Sequence, residues 1–227
     1  NNQIENFTYD DSNRLTSSNI NGTAFVFDYK PNGNIESKTD VGDYQYGTSY
    51  PNAVRRINNP SPEVLSLAEQ NIEYNAYHNT KEIEEGVYKV ELRYSPDRIR
   101  NKMTLTNTDN NNNTVVESTK YYTTNYEKEV LNSGDEREVH YISGGDGLAA
   151  IYVIENGVPN YYFVYKDYLG SILTLTNNSG NVEVEQSFDA WGRHRDPSDW
   201  TDYTSIIPSE DIGGGFEWLD RGFTGHE

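Results

Sequence analysis

Apolar and polar residues alternate with a period of two over much of the chain. Phe25, Phe27 and Tyr29 are interleaved with Val26 and Asp28, and Tyr88, Val90, Leu92 and Tyr94 with Lys89, Glu91 and Arg93. Successive side chains of a strand point to opposite faces, so this spacing predicts half-buried strands. Four further runs, at 151–154, 161–165, 172–176 and 182–188, are β-branched or aromatic and are bounded by Gly, Asn or Pro. Asn21-Gly22, Asn32-Gly33, Asn156-Gly157 and Ser179-Gly180 supply hairpin turns, because Asn and Gly tolerate positive φ. One short helix is predicted, with Ser61 as N-cap and Pro62 at its first position, ahead of Glu63, Val64, Leu65, Leu67 and Ala68. The pattern predicts an all-β chain of consecutive antiparallel β-hairpins.

Composition changes this picture in two ways. Hydrophobic residues are only 34% of the 227, so a conventional dense core is not expected. Aromatics are nevertheless 13%, with 19 tyrosines, which argues against a disordered chain. On a thin sheet, tyrosine supplies apolar area while its hydroxyl stays in water. The balance of 18 Lys and Arg against 36 Asp and Glu leaves −18 at pH 7. That field repels phosphate backbones and anionic lipid, so no nucleic-acid partner is expected. No apolar run approaches the roughly 20 residues of a membrane helix, and direct membrane insertion is not expected either. The absence of cysteine excludes disulfides, thiolate metal sites and cysteine nucleophiles. The chain starts at Asn1 with no signal peptide, and it reads as a piece of something larger.

Candidate chemistry resolves into scaffold. Asp109-Asn110-Asn111-Asn112-Asn113 resembles the start of a calcium loop, but Thr114 stands at the sixth position and Lys120 at the twelfth, so a hairpin tip is expected. His78, His140, His194 and His226 are far apart in sequence and offer no ligand spacing. Ser143-Gly144-Gly145-Asp146-Gly147 and Gly213-Gly214-Gly215 lack the lysine and the helix of a phosphate loop, and read as bends. Glu84-Glu85, Asp135-Glu136 and Glu183 with Glu185 read as charge on solvated faces. Trp191, Trp200 and Trp218 could stack sugars, but packing between hairpins is the favoured account. No catalytic, cofactor-binding or metal-ligating residue is assigned.

A repeat runs through the turns. Tyr9-Asp10-Asp11-Ser12-Asn13-Arg14-Leu15 aligns with Tyr29-Lys30-Pro31-Asn32-Gly33-Asn34-Ile35, and Phe188-Asp189-Ala190-Trp191-Gly192-Arg193 fits the same frame. Tyr94-Ser95-Pro96-Asp97 with Arg100 is a degenerate copy, and Tyr165-Lys166-Asp167-Tyr168-Leu169-Gly170 is one with an extra residue. The aromatic is expected to end a strand, the Asp, where present, can cap the turn through its side chain, and Gly or Asn takes the left-handed position. These copies resemble the YD repeats of the RHS family, the bacterial rearrangement-hotspot proteins to which the animal teneurins are related. The strongest stretch runs from Asp167-Tyr168-Leu169-Gly170-Ser171 to Phe188-Asp189-Ala190-Trp191-Gly192-Arg193-His194-Arg195-Asp196-Pro197, similar to the D-x-L-G-S and Y-D-A-W-G-R-x-R-D-P pattern of the RHS core. Ile72-Glu73-Tyr74-Asn75-Ala76 and Arg221-Gly222-Phe223-Thr224-Gly225-His226-Glu227 add to it.

The resemblance implies a curved ribbon of hairpins, or part of a hollow shell, that in bacterial members surrounds a C-terminal toxin severed by self-cleavage. The cleavage segment of the family follows the G-H-E element, so no catalytic role falls on residues 1–227. The implied organisation is a single YD-repeat segment incomplete at both ends, with first hairpins at 1–60, degenerate repeats at 61–140 and the core motif region at 141–227. The implied function is a secreted or cell-surface bacterial wall element that encloses and delivers a toxin. Its partners would be the remainder of its own polypeptide or the toxin, with another secreted or outer-membrane protein as a further candidate. The alternative is a teneurin-like adhesion or complex-forming scaffold, and a glycan-binding or glycan-hydrolysing domain ranks last.

Overall fold

In the computed structural model, the described residues are 3–61, 69–109, 111–200, 218–219 and 223–225. They form antiparallel β-sheets joined hairpin by hairpin, and the helical geometry among them is a single 3-10 turn at Phe223–Gly225. The helix expected after Ser61 lies outside the described residues, as does Gly213-Gly214-Gly215. The chain divides into two compact units.

Unit 1 comprises residues 1–67 and 186–212. Its first part is a six-stranded sheet in sequence order, β1 (Glu5–Tyr9), β2 (Leu15–Ile20), β3 (Thr23–Tyr29), β4 (Ile35–Lys38), β5 (Gly42–Tyr46) and β6 (Val54–Asn58). Unit 2 comprises residues 68–185 and 213–227. Its sheet has eleven strands, again each paired with its sequence neighbours. They are β7 (Gln70–Tyr74), β8 (Thr80–Glu85), β9 (Tyr88–Tyr94), β10 (Arg100–Thr108), β11 (Thr114–Thr123), β12 (Tyr126–Leu131), β13 (Glu136–Gly144), β14 (Gly147–Glu155), β15 (Val158–Lys166), β16 (Ile172–Thr176) and β17 (Val182–Glu185). The short pair β18 (Ser187–Phe188) and β19 (His194–Arg195) belongs to unit 1.

The strands expected from alternation are all present. β10 to β13 carried no such signal, because Thr, Lys and Glu fill positions on both faces, as in the Arg100–Thr108 sequence RNKMTLTNT. A strand with two polar faces has no hydrophobic period, and its pairing with neighbours decides its conformation. The expectation of no dense core needs a correction. Val139, Tyr141, Ile151, Val153, Tyr162, Ile172, Leu175 and Val184 form one buried cluster with Trp218 and Leu219. A low average hydrophobicity permits this because the β-branched residues are concentrated in β13–β17.

Candidate functional site

The repeat turns share one geometry. In the turn beginning at Asp10, the Asp10 N–H donates to the Arg14 carbonyl at 3.0 Å and Asn13 N–H to the Asp10 carbonyl at 2.9 Å. The Asp10 carboxylate accepts from Ser12 N–H and Arg14 N–H, both at 2.9 Å. The same bonds recur at Asn75, Asp109, Asp167, Asn177 and Asp189, each of which accepts through Oδ1 from the second and fourth following N–H groups. The fourth residue of each turn is left-handed: Asn13 (φ 58°), Gly33 (90°), His78 (62°), Arg98 (64°), Asn112 (61°), Gly170 (93°), Gly180 (79°) and Gly192 (88°). The side chain thus closes N–H groups that the reversing chain cannot pair. These bonds stabilise the ionised carboxylate. Asp10 is held below its ordinary pKa, first by Arg14 N–H, and Asp109 first by Asn113 N–H.

Asp109 therefore serves as the first residue of a hairpin tip, as its sequence context indicated. In the degenerate copy the turn is Ser95 to Ile99, with Arg98 left-handed, so Arg100 is not the counterpart of Arg14. Arg100 pairs across from Tyr94, with its guanidinium over the Tyr122 ring. In the copy with an extra residue, Lys166 rather than Tyr165 stands directly before the turn that Asp167 begins. Leu169 sits half exposed at that tip, its N–H on Asp167 Oδ1 at 2.9 Å.

Six of the repeat hairpins also carry a bulge beside the turn, whereas Phe188 and His194 pair without one. Tyr9 pairs with Leu15 but Thr8 with Ser17, leaving Thr16 unmatched, and the same skip occurs after Ile35, Thr80, Arg100, Ile172 and Val182. The next hairpin fastens onto this point. Tyr29 Oη donates to the Leu15 carbonyl at 2.8 Å, Tyr46 Oη to Ile35 at 2.9 Å, and Tyr94 Oη to Thr80 at 2.7 Å. These three hydroxyls are bonded to backbone carbonyls, which the expectation drawn from composition did not include, and burial raises the pKa of Tyr29 and Tyr46. The Arg14 guanidinium, which also binds Asp10 at 2.6 Å, lies over the Tyr29 ring at 4.6 Å and ties the two turns further. Tyr9 begins the series and is exposed.

In unit 1 the motif segment assembles around Asp189. Phe188 ends β18, Asp189 caps the turn, and Trp191 meets the Phe27 ring edge-on at 5.3 Å with the Lys38 ammonium 4.8 Å from its own ring. Both motif arginines reach carboxylates of the N-terminal sheet. Arg193 lies 3.4 Å from Asp40, and Arg195 lies 2.8 Å from Glu5, where both side chains are only 7% exposed. Ser18 Oγ donates to the other Glu5 oxygen at 2.6 Å, and Arg195 Nε donates to Ser187 Oγ at 3.0 Å. Asp196 and exposed Pro197 open the following turn. Asp196 accepts from the Ser198 hydroxyl and N–H, which lower its pKa, and Trp200 covers Arg195 with the guanidinium 4.5 Å from its ring. His194 packs on Phe188, and burial lowers its pKa.

In unit 2 two motif pieces meet. Thr224 N–H donates to the Oγ of buried Ser171 at 3.1 Å, joining the Asp167–Ser171 turn to the 3-10 turn. Trp218 is 2% exposed and packs tilted against Tyr162 at 5.3 Å, so it cannot belong to a sugar platform. Trp191, though 38% exposed, rests on Phe27, and Trp200 rests on Arg195. The glycine-rich Ser143–Gly147 stretch is the reversal between β13 and β14.

No family model matches the sequence, and no curated protein matches it. Solved structures do. The chain is similar to TcdB2-TccC3 without its hypervariable C-terminal region, with TM-score 0.60, 14% identity, and coverage of 86% of this chain and 12% of that one. It is also similar to TcdB2-TccC3 (0.53, 11%, 99% and 15%) and to TcdB2-TccC3-TEV (0.52, 12%, 99% and 14%). The chain spans less than a sixth of the length of those structures. At such identities the likeness is one of fold: the described hairpins have the architecture of a part of TcdB2-TccC3.

Proposed function

We propose that the chain is a wall segment of an RHS-type β-shell: a non-catalytic, structural part of a secreted or surface protein that encloses a C-terminal toxin. The observation that carries this reading is the interlocked turn. A tyrosine of one hairpin binds the carbonyl beside the bulge of the hairpin before it. A unit held by its predecessor extends along a ribbon indefinitely, and such a ribbon makes wall rather than pocket. The order of the motifs in the sequence and the likeness in fold to part of TcdB2-TccC3 support the same reading. The partners are then the rest of the same polypeptide and the enclosed toxin, with neither nucleic acid nor direct membrane insertion involved.

The test uses the natural polypeptide that carries this sequence, with a specific protease site introduced directly after Glu227. Enclosure predicts that the site resists cleavage in the folded protein and is cut once the protein is denatured. Cleavage in the folded protein as fast as in an unfolded control would overturn the reading.

A further inference from the structure

We propose that the face of β12–β15 turned away from the unit 2 core is a docking surface for a cationic, amphipathic β-strand of a partner polypeptide. This rests on the scaffold reading, since the partner is what such a scaffold would hold. Strand alternation sends Val139, Tyr141, Ile151, Val153 and Tyr162 into the core. The residues between them therefore share the opposite face, and they are aromatic too. Tyr126, His140, Tyr152 and Tyr161 stand opposite one another across β12, β13, β14 and β15, with ring centroids 4.7, 5.6 and 4.4 Å apart. Beside this row, Ile142, Phe163 and Tyr165 are 43%, 48% and 56% exposed. In a chain with so few hydrophobic residues, a bare apolar face marks an interaction site.

The geometry and the charge select the occupant. Tyr152 and Tyr161 stack on one another at an interplanar angle of 24°, and Tyr126–His140 and His140–Tyr152 meet at 53° and 34°, so the rings cover much of one another's faces. A sugar needs ring faces, and this platform offers few. Tyr161, Phe163 and Tyr165 recur every second residue along β15, which matches the side-chain spacing of an extended segment lying on it. Glu136 and Glu138 share the face from β13, and Glu185, in register with Thr174 and Tyr165, shares it from β17. The cation among them, Lys128, is already held by Glu136 at 2.7 Å and Glu138 at 3.9 Å. With −18 on the whole chain, the field draws in a basic segment and repels a second copy.

The experiment uses the 227-residue chain and two fluorescein-labelled peptides of equal length, one alternating Lys with Val and the other Glu with Val. Fluorescence anisotropy is expected to show saturable binding of the Lys/Val peptide alone, weakening as salt is raised. The double substitution Phe163→Ser/Tyr165→Ser should weaken it about tenfold, as loss of central apolar anchors does. Tyr161→Lys, which removes neither residue but adds a cation, should weaken it as well, and Tyr88→Ser/Ile99→Ser elsewhere in unit 2 should not. Equal binding of the Glu/Val peptide, no binding of either, or full affinity in both face variants would overturn the proposal. So would self-association of the wild-type chain that these substitutions abolish, which would make a second copy the occupant. Any of these failures leaves the protease-protection result standing, so the two readings fail separately.

Discussion

Units 1 and 2 are built from the same turn, yet a later segment of the chain is held against each in a different way. In unit 1 the motif segment is tied by charge: Arg195 to Glu5, Arg193 to Asp40, and Lys38 over Trp191. In unit 2 the later segment supplies Trp218 and Leu219 to an apolar cluster in which Ile151, Val153, Ile172 and Leu175 are wholly buried. Charge is not excluded from unit 2, since Arg137 bridges Glu129 at 3.2 Å and Glu155 at 3.0 Å, but it borders the cluster. The difference shows that the hairpin repeat does not by itself dictate how a ribbon is closed. Apolar closure depends on area removed from water. Ionic closure depends on keeping both partners, because a buried charge left alone is costly.

This comparison can be broken by substitution. The largest effect is expected from Trp218→Ala, which should destabilise unit 2 by about 3–5 kcal/mol in urea unfolding, through lost transfer energy and a cavity. A loss under about 1 kcal/mol would show that the cluster closes without its cover. Arg195→Ala should cost about 3 kcal/mol, since Glu5 is left buried without its cation. Arg195→Met combined with Glu5→Leu should recover most of that loss. Failure of the pair to recover it would place the value of Arg195 in Trp200 and Ser187 rather than in the ion pair.

Gly192→Val should cost about 2 kcal/mol, because φ of 88° is strained for a β-branched residue. His194→Ala should cost less, since His194 rests on Phe188 at the edge of the motif. Equal urea midpoints would refute the turn register. Tyr29→Phe removes one hydrogen bond to the Leu15 carbonyl and should cost about 1 kcal/mol. No change in hydrogen exchange at β2 and β3 would mean that the clasp does not couple the hairpins.

The smallest expected effect is a pH dependence. The folded pKa of His194 lies below its ordinary 6.5, so the unfolded chain binds the proton more readily. Its contribution is complete above 6.5 and is lost as pH falls through the lowered value. Asp10, Asp109 and Asp196 lie below their ordinary 3.8, so theirs persists to lower pH and is lost as pH falls beneath that value. In His194→Gln the first slope should disappear and the acid slope should remain. Loss of both would show that the two are coupled.

The hairpin turns were legible because their chemistry is local. Asp10 and Asn13, Asp167 and Gly170, Asp189 and Gly192 lie within four residues of one another, and a side-chain acceptor with a left-handed position closes the loop whatever surrounds it. Strands with one half-buried face were legible for the same reason, since period two is written in β3 and β9. Tertiary structure alone decided the rest. The tyrosine clasp joins residues 14, 11 and 14 positions apart through a carbonyl freed by a bulge, and no period marks it. β10–β13 became strands because their backbones pair with neighbours, not because their side chains alternate. Arg195 found Glu5 across 190 positions, and Trp218 found Tyr162. Such contacts depend on where the ribbon brings its later segments, and burial then makes an ordinary arginine and an ordinary tryptophan into the parts that hold each unit closed.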